Sequence, residues 1–248
     1  MKQFQIDTGR VFPHLPNAPI TEAVIQVMAT PTGPLQDLTQ DGLKSEFGAY
    51  TVQPQTGFIH EMEAGSGGFQ YQTKPWWNGF RLTSADEKHV CQIRPTTVIF
   101  SRLKPYEGWA SFSGEFRRFQ RKFTEWIAPN VYDRIGVRFI SQIELGECSP
   151  SEFIEMPPEV LKSIGLSSVG FFDIDSYEIP GAPYKLTVTR TVEPPQSKSL
   201  PRMLIVDIDT TTINATPLDL LESRLEEMRF IKNEVFFSLM KNPQVKFA

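Results

Sequence analysis

The chain has 248 residues, 40% hydrophobic and 22% charged, enough for one large domain whose core stands without covalent staples. Its net charge of −4 excludes the overall basic footprint of most nucleic-acid binders and leaves only a local basic face open. Cys91 and Cys148 lie in no metal or redox spacing, no stretch approaches the roughly 20 apolar residues of a membrane span, and the first residues hold no apolar run of signal length, so a cytoplasmic protein with free thiols is expected.

In chain order, Pro19–Ala29 alternates with β-branched residues and predicts a strand. Pro34–Gly48 predicts a short helix, with proline at its start and glycine past its end. Three strand-like stretches follow, YTVQPQTGFIHEMEA, GFQYQTKPWWNGFRLTSA and HVCQIRPTTVIFSRL, separated by the turn material of GSGG and Asp86-Glu87. Trp109–Ile127 then sets Phe112, Phe116, Phe119, Phe123 and Trp126 at helical spacing, an amphipathic helix with an aromatic stripe.

After APN the series restarts. VYDRIGVRFISQIEL predicts a strand and SPSEFIEMPPEVLKSIG a helical segment broken at Pro157-Pro158. SSVGFFDIDSYEI, APYKLTVTRTVEP and PRMLIVDIDTTTIN predict three strands, and Leu218–Lys241 a long helix. Phe230, Phe236 and Phe237 lie off the main apolar stripe of that helix; apolar surface beyond one face points to a second chain, hence a homodimer.

The fold class expected is α+β, a single domain over 1–248. It comprises two pseudo-symmetric β-α-βββ-α halves, about 17–128 and about 129–242, joined in one antiparallel sheet of about eight strands with the helices on one face. This is similar to the TATA-binding-protein-like arrangement; two separate small α+β domains are the alternative.

Alternation assigns the strand faces. In Val131–Leu145, Ile135, Val137, Phe139 and Ile143 belong under the helices, and Arg134, Gly136, Arg138 and Gln142 on the open face. Read as one strand, Val90–Leu103 adds Arg94, Phe100 and Arg102 to the open face, and the first strand adds Glu22. The expected role of Glu22, Arg94, Arg102, Arg134 and Arg138 is a ligand or partner site, or a structural network in which Arg134 and Arg138 pair with Glu22 or a neighbouring aspartate. Trp76 and Trp77 are adjacent in a strand, so one faces away from the core; with Phe100 they are possible aromatic contacts.

His14, His60 and His89 have no ligand spacing, and GxSxG, GxGxxG and the phosphate-binding P-loop are missing from the sequence. Asp173/Asp175 and Asp207/Asp209 invite a metal, but a strand lies between them, which separates the pairs by about 10 Å. No cofactor or metal is therefore expected, and an enzyme is disfavoured. The leading expectation is a non-catalytic binding or regulatory protein that engages a protein partner. The alternative is a nucleotide or single-stranded nucleic-acid binder, with the arginines on phosphate and Trp76, Trp77 or Phe100 stacking. The third is a metal-dependent hydrolase using the aspartates.

NAPITEAVIQV, RPTTVIFSRLKPYEGWASF and DRIGVRFISQIEL resemble a sporadically distributed family of bacterial and archaeal proteins without known activity. The family motifs read aPI-E, f-sRL-pY-gW and RIG-RYiN-I. The matching positions are Pro19, Ile20 and Glu22; Arg102, Leu103, Tyr106 and Trp109; and Arg134, Ile135, Gly136, Arg138 and Ile143. Phe139 and Ser141 stand where the family has tyrosine and asparagine. The resemblance implies an accessory locus, such as a defence or toxin–antitoxin module.

Overall fold

The computed structural model describes residues 4–35, 38–65, 68–156, 163–166, 168–192 and 201–248, with side chains throughout these except 59–71. In chain order they form β1 (Ile20–Met28), α1 (Gln40–Glu46), β2 (Tyr50–Gly65), β3 (Gly68–Ser84), β4 (His89–Arg94), β5 (Thr97–Leu103) and α2 (Trp109–Ile127). There follow β6 (Val131–Tyr132), β7 (Arg134–Glu144), β8 (Phe171–Glu178), β9 (Tyr184–Val192), β10 (Met203–Thr212), β11 (Thr216–Pro217), α3 (Leu221–Leu239) and α4 (Pro243–Lys246). The chain is a mixed α+β protein built on one nine-stranded sheet, in the order β2-β3-β4-β5-β1-β7-β10-β9-β8, with a small β6–β11 ribbon beside it. Each pairing in the large sheet is antiparallel.

The aromatic stripe of α2 is buried as its spacing required: Phe112, Phe116, Phe119, Phe123 and Trp126 all turn inward. Phe119 sits among Phe47 (ring centroids 4.5 Å), Tyr50 (5.2 Å) and Phe100 (5.4 Å). α3 buries Leu221, Leu225, Met228 and Ile231 on the same sheet face. Beneath the helices lie Ile25, Val27, Ile135, Val137, Val206 and Ile208, the inward row of the central strands. No helix among the described residues is long and apolar enough to cross a membrane.

Several expectations are corrected. HVCQIRPTTVIFSRL is two strands, because Pro95-Thr96 turns the chain back and pairs Arg94 with Thr97. Proline fixes φ and lacks an N–H, which suits a tight turn and interrupts a strand ladder. The first half is therefore β-α-ββββ-α. α1 starts at Gln40, because the Thr39 side chain accepts from the Gly42 N–H and caps the helix there. Of the helical segment expected over SPSEFIEMPPEVLKSIG, the described residues include a 3-10 turn at Pro150–Glu152, opened by a reciprocal Ser149/Glu152 capping box. Residues 157–162 of that segment, and residues 66–67 of the GSGG turn, lie outside the described residues.

The apolar surplus of α3 is consumed within the chain. Phe4 and Phe12 pack on Phe230, Phe12 stacks on Phe237 at 5.6 Å, and Phe247 contacts Phe236. Arg10 ties this N-terminal segment to Glu234 at 2.5 Å. The aromatic flank that suggested a second chain is thus covered by residues 4–16.

Candidate functional site

The sheet has one face under α2 and α3 and one that neither helix covers. Cross-strand partners share a face, so the register fixes which residues occupy the second. Across β1, β7 and β10, Val24, Arg138 and Asp209 lie in one row, and Glu22, Ile140 and Asp207 in the next. The placement expected for Arg134, Gly136, Arg138 and Gln142 agrees with this register.

Arg138 is held by its neighbour. Its Nε donates to both carboxylate oxygens of Asp207 (2.9 and 3.1 Å), and its Nη2 donates to Oδ2 at 2.6 Å. This fork raises the Arg138 guanidinium further above its ordinary value. Glu22 contributes at a distance but forms no ion pair with either arginine. Arg134 makes no ion pair among the described residues; its field acts on Asp209, whose carboxyl is nevertheless raised by burial, with Arg134 and Arg138 opposing. Of the two partners expected for Arg138, Glu22 or a neighbouring aspartate, the aspartate is the one present, as an Arg138–Asp207 bridge between β7 and β10. Half the arginine surface is exposed (49%), so the bridge is a modest stabiliser. In a double-mutant cycle of Arg138→Met and Asp207→Asn, followed by urea unfolding, a coupling of about 0.2–1 kcal/mol is expected.

Two other candidates, Phe100 and Arg102, sit elsewhere. The turn at Pro95-Thr96 reverses the face parity of β5, so Phe100 pairs beside Cys91, fully buried under the helices. Arg102, 3% exposed, is also on the helix side. Its Nη1 contacts His89 Nε2 at 2.7 Å, its Nη2 donates to Glu107 at 2.5 Å, and its Nε donates to the Pro105 carbonyl at 3.1 Å. Burial and the Arg102 charge push His89 below its ordinary value, so the neutral imidazole accepts from the guanidinium. Arg102 therefore pins the 105–107 loop to the sheet. Arg102→Met removes three contacts and should cost about 1–3 kcal/mol in thermal unfolding. Arg94 remains on the open side, its Nη2 donating to Gln92 at 2.6 Å.

The two tryptophans do face apart. Trp77, 40% exposed, packs on Phe80 and Trp126 at the rim of the aromatic cluster. Trp76 lies against Gly57, where a Cβ would meet its indole nitrogen at 2.3 Å. Gly79 just beyond has φ +96° and approaches the Ile93 carbonyl so closely that a Cβ would sit 2.0 Å from it, which requires glycine. Both tryptophans have local packing roles within β2–β3 and with α2.

The two aspartate pairs occupy opposite faces of the sheet. Asp173 pairs across from Arg190 and Asp175 across from Val188, on the helix side, whereas Asp207 and Asp209 face the open side. Arg190 bonds both Asp173 and Asp175. The open face of β8 instead presents Phe172, 70% exposed, and Ile174, 53% exposed. Among the described residues, no group of three histidine, cysteine or acidic side chains is placed to hold a metal ion.

A second candidate site was not legible in the sequence. A cavity of about 390 Å³ lies between the N-terminal segment, the 106–109 loop and α3. Its lining includes Phe139, Ser141 and Ile208 on the sheet, Tyr106 and Trp109 at the head of α2, and Arg229, Lys232 and Asn233 on α3. Positions quoted from all three motif segments therefore meet here, including the departures Phe139 and Ser141. The Lys232 ammonium lies 4.1 Å from the centre of the Phe139 ring. The Lys232 side chain is half-buried and borders the cavity. Burial, with Arg229 adding to it, pulls the ammonium down to about 7.

Comparison of the chain with protein-family models gives no match, and comparison with curated proteins gives none.

Proposed function

We propose that the protein is a non-catalytic binding or regulatory protein that engages another polypeptide through the uncovered face of its sheet. The observation that carries this reading is the apolar pair Phe172 and Ile174, side by side on that face at the terminal strand β8. An exposed apolar row beside a strand edge that no other described strand pairs suits an extended polypeptide segment, which takes main-chain hydrogen bonds from the edge and buries alternate side chains. Ile164, Leu166 and Val169, all exposed, extend the apolar surface along the segment leading into β8.

We further read the sheet as two duplicated halves in a TATA-binding-protein-like arrangement. In each half the first strand pairs with the last, β1 with β5 and β7 with β10, and the two first strands pair with each other. The resemblance to the sporadically distributed family supports placing the partner in an accessory locus. A homodimer is a less supported form of the same reading, because the helix that suggested it is covered. The nucleic-acid reading is weakened by the burial of Arg102 and Phe100 and by the engagement of Arg138 with Asp207.

A photoreactive phenylalanine analogue at position 172, expressed in the native host, tests the reading. One discrete polypeptide adduct is expected there, and none from the same group at Arg117 on the outer side of α2. Equal labelling from both positions would sink it.

A further inference from the structure

The cavity beside Lys232 is independent of the open sheet face, and its chemistry selects a ligand of its own. Its walls are aromatic, from Trp109, Phe139 and Phe236 among others. Thr8, Arg10, His14, Glu107 and Arg229 add polar groups, and so do Tyr106, Ser141, Lys232 and Asn233, of which none makes a side-chain hydrogen bond to another described residue. Aromatic walls beside convergent polar groups are a usual form of a small-molecule site, and this volume falls at the small end of such pockets.

The charges decide which small molecule. The neighbouring carboxylates are already committed. Glu107 bonds Arg102, Glu234 bonds Arg10, and Glu226 accepts from the Trp109 indole while pairing with Arg229. Among the described residues, the Lys232 ammonium is paired with the Phe139 ring and with no carboxylate. A half-buried ammonium that no carboxylate pairs is costly to desolvate, and a ligand that brings one anionic acceptor offsets that cost on binding. One cation with two hydroxyls nearby suits a monoanion. A phosphate dianion calls for more positive charge, and the only other cation on α3 facing this space, Arg229, is neutralised by Glu226.

We infer that this cavity is a binding site for a small monocarboxylate with an aromatic or short aliphatic body. The carboxylate pairs with the Lys232 ammonium and accepts from Ser141 and Tyr106. The body lies against Phe139 and Trp109, under the N-terminal segment that Arg10 fastens to α3.

The test uses the full-length protein with benzoate, phenylacetate and hexanoate, each against its own amide, in calorimetric and ligand-observed NMR titrations. At least one carboxylate should bind, and its amide should bind about tenfold or more weakly, as expected for losing a hydrogen-bonded ion pair. Lys232→Met keeps the stem and removes the charge, and should abolish the preference. Lys232→Gln, which keeps a polar head, serves as a second variant and should lose binding equally. The inference is overturned if none of the three carboxylates binds, if acid and amide bind alike, or if Lys232→Met binds the acid as the wild type does.

Discussion

Replacing Phe119 by alanine should lower the free energy of unfolding by about 3–5 kcal/mol, the range for truncating a fully buried aromatic. Phe119 is fully enclosed and is the point where α2 meets both α1 and the sheet. Its ring stacks on Phe47, which follows α1, and on Phe100 of β5, and meets Tyr50 of β2 edge-on. Truncation removes the transfer energy of the ring and leaves a cavity that three aromatic neighbours, each held from a different element, cannot close together. Arg121→Ala, on the exposed side of the same helix, should change stability by less than about 0.5 kcal/mol. Urea unfolding of both variants measures the contrast. A small effect at Phe119 would mean that α2 is not seated on the sheet through this stripe.

The second large effect belongs to Lys232 and depends on pH. The unfolded chain holds a proton there up to about pH 10.5, the folded chain only up to about 7. Unfolding therefore takes up a proton between these values, and stability rises with pH across that window. Below pH 7 the whole cost of enclosing the charge is present. Allowing for the accessible part of the side chain, that cost is on the order of 2–4 kcal/mol. Lys232→Met should be more stable than the wild type at pH 6 by about that amount, and the advantage should shrink steadily towards pH 10. Taking the difference between the two proteins isolates Lys232 from Arg10, His14, Tyr106, Glu107 and Arg229, which line the same space. Parallel pH profiles would show that Lys232 titrates like a solvated lysine.

Much of the fold is legible in the sequence wherever one period dominates. The five aromatics of α2 recur at helical spacing and all point inward. The alternation of β7 places Arg134 and Arg138 on the open face. The β4–β5 hairpin was hidden because alternation continues through Pro95-Thr96, so the stretch passes for one strand. One missed turn then inverted the faces of Phe100 and Arg102. The alternation of FFDIDSYE suggests Asp173 and Asp175 on the open face with the other acids, and the structure places them on the opposite one. Arg190 decides it, since its guanidinium neutralises Asp173 and Asp175 on the helix side and leaves Phe172 and Ile174 outside. Such a cross-strand partner is a tertiary fact that no local pattern carries.

The cavity was invisible for the same reason. Lys232 reads as an ordinary polar position on a surface helix. It is half-buried because residues 8–16, which show no periodicity, lie beside α3 and are anchored by Arg10 on Glu234. One local signal pointed that way: Phe230, Ile231, Val235, Phe236 and Phe237 surround the lysine with more apolar surface than a solvated face carries.

The measurement that bears most directly on the partner-binding account is native mass spectrometry of the protein purified from its native host at mild salt, beside the double variant Phe172→Glu/Ile174→Glu. Both side chains are exposed, so the variant should unfold at the wild-type temperature. The account predicts a stoichiometric second polypeptide with the wild type and its loss from the variant. A bare protein, a bound oligonucleotide, or a polypeptide kept equally by the variant would contradict it.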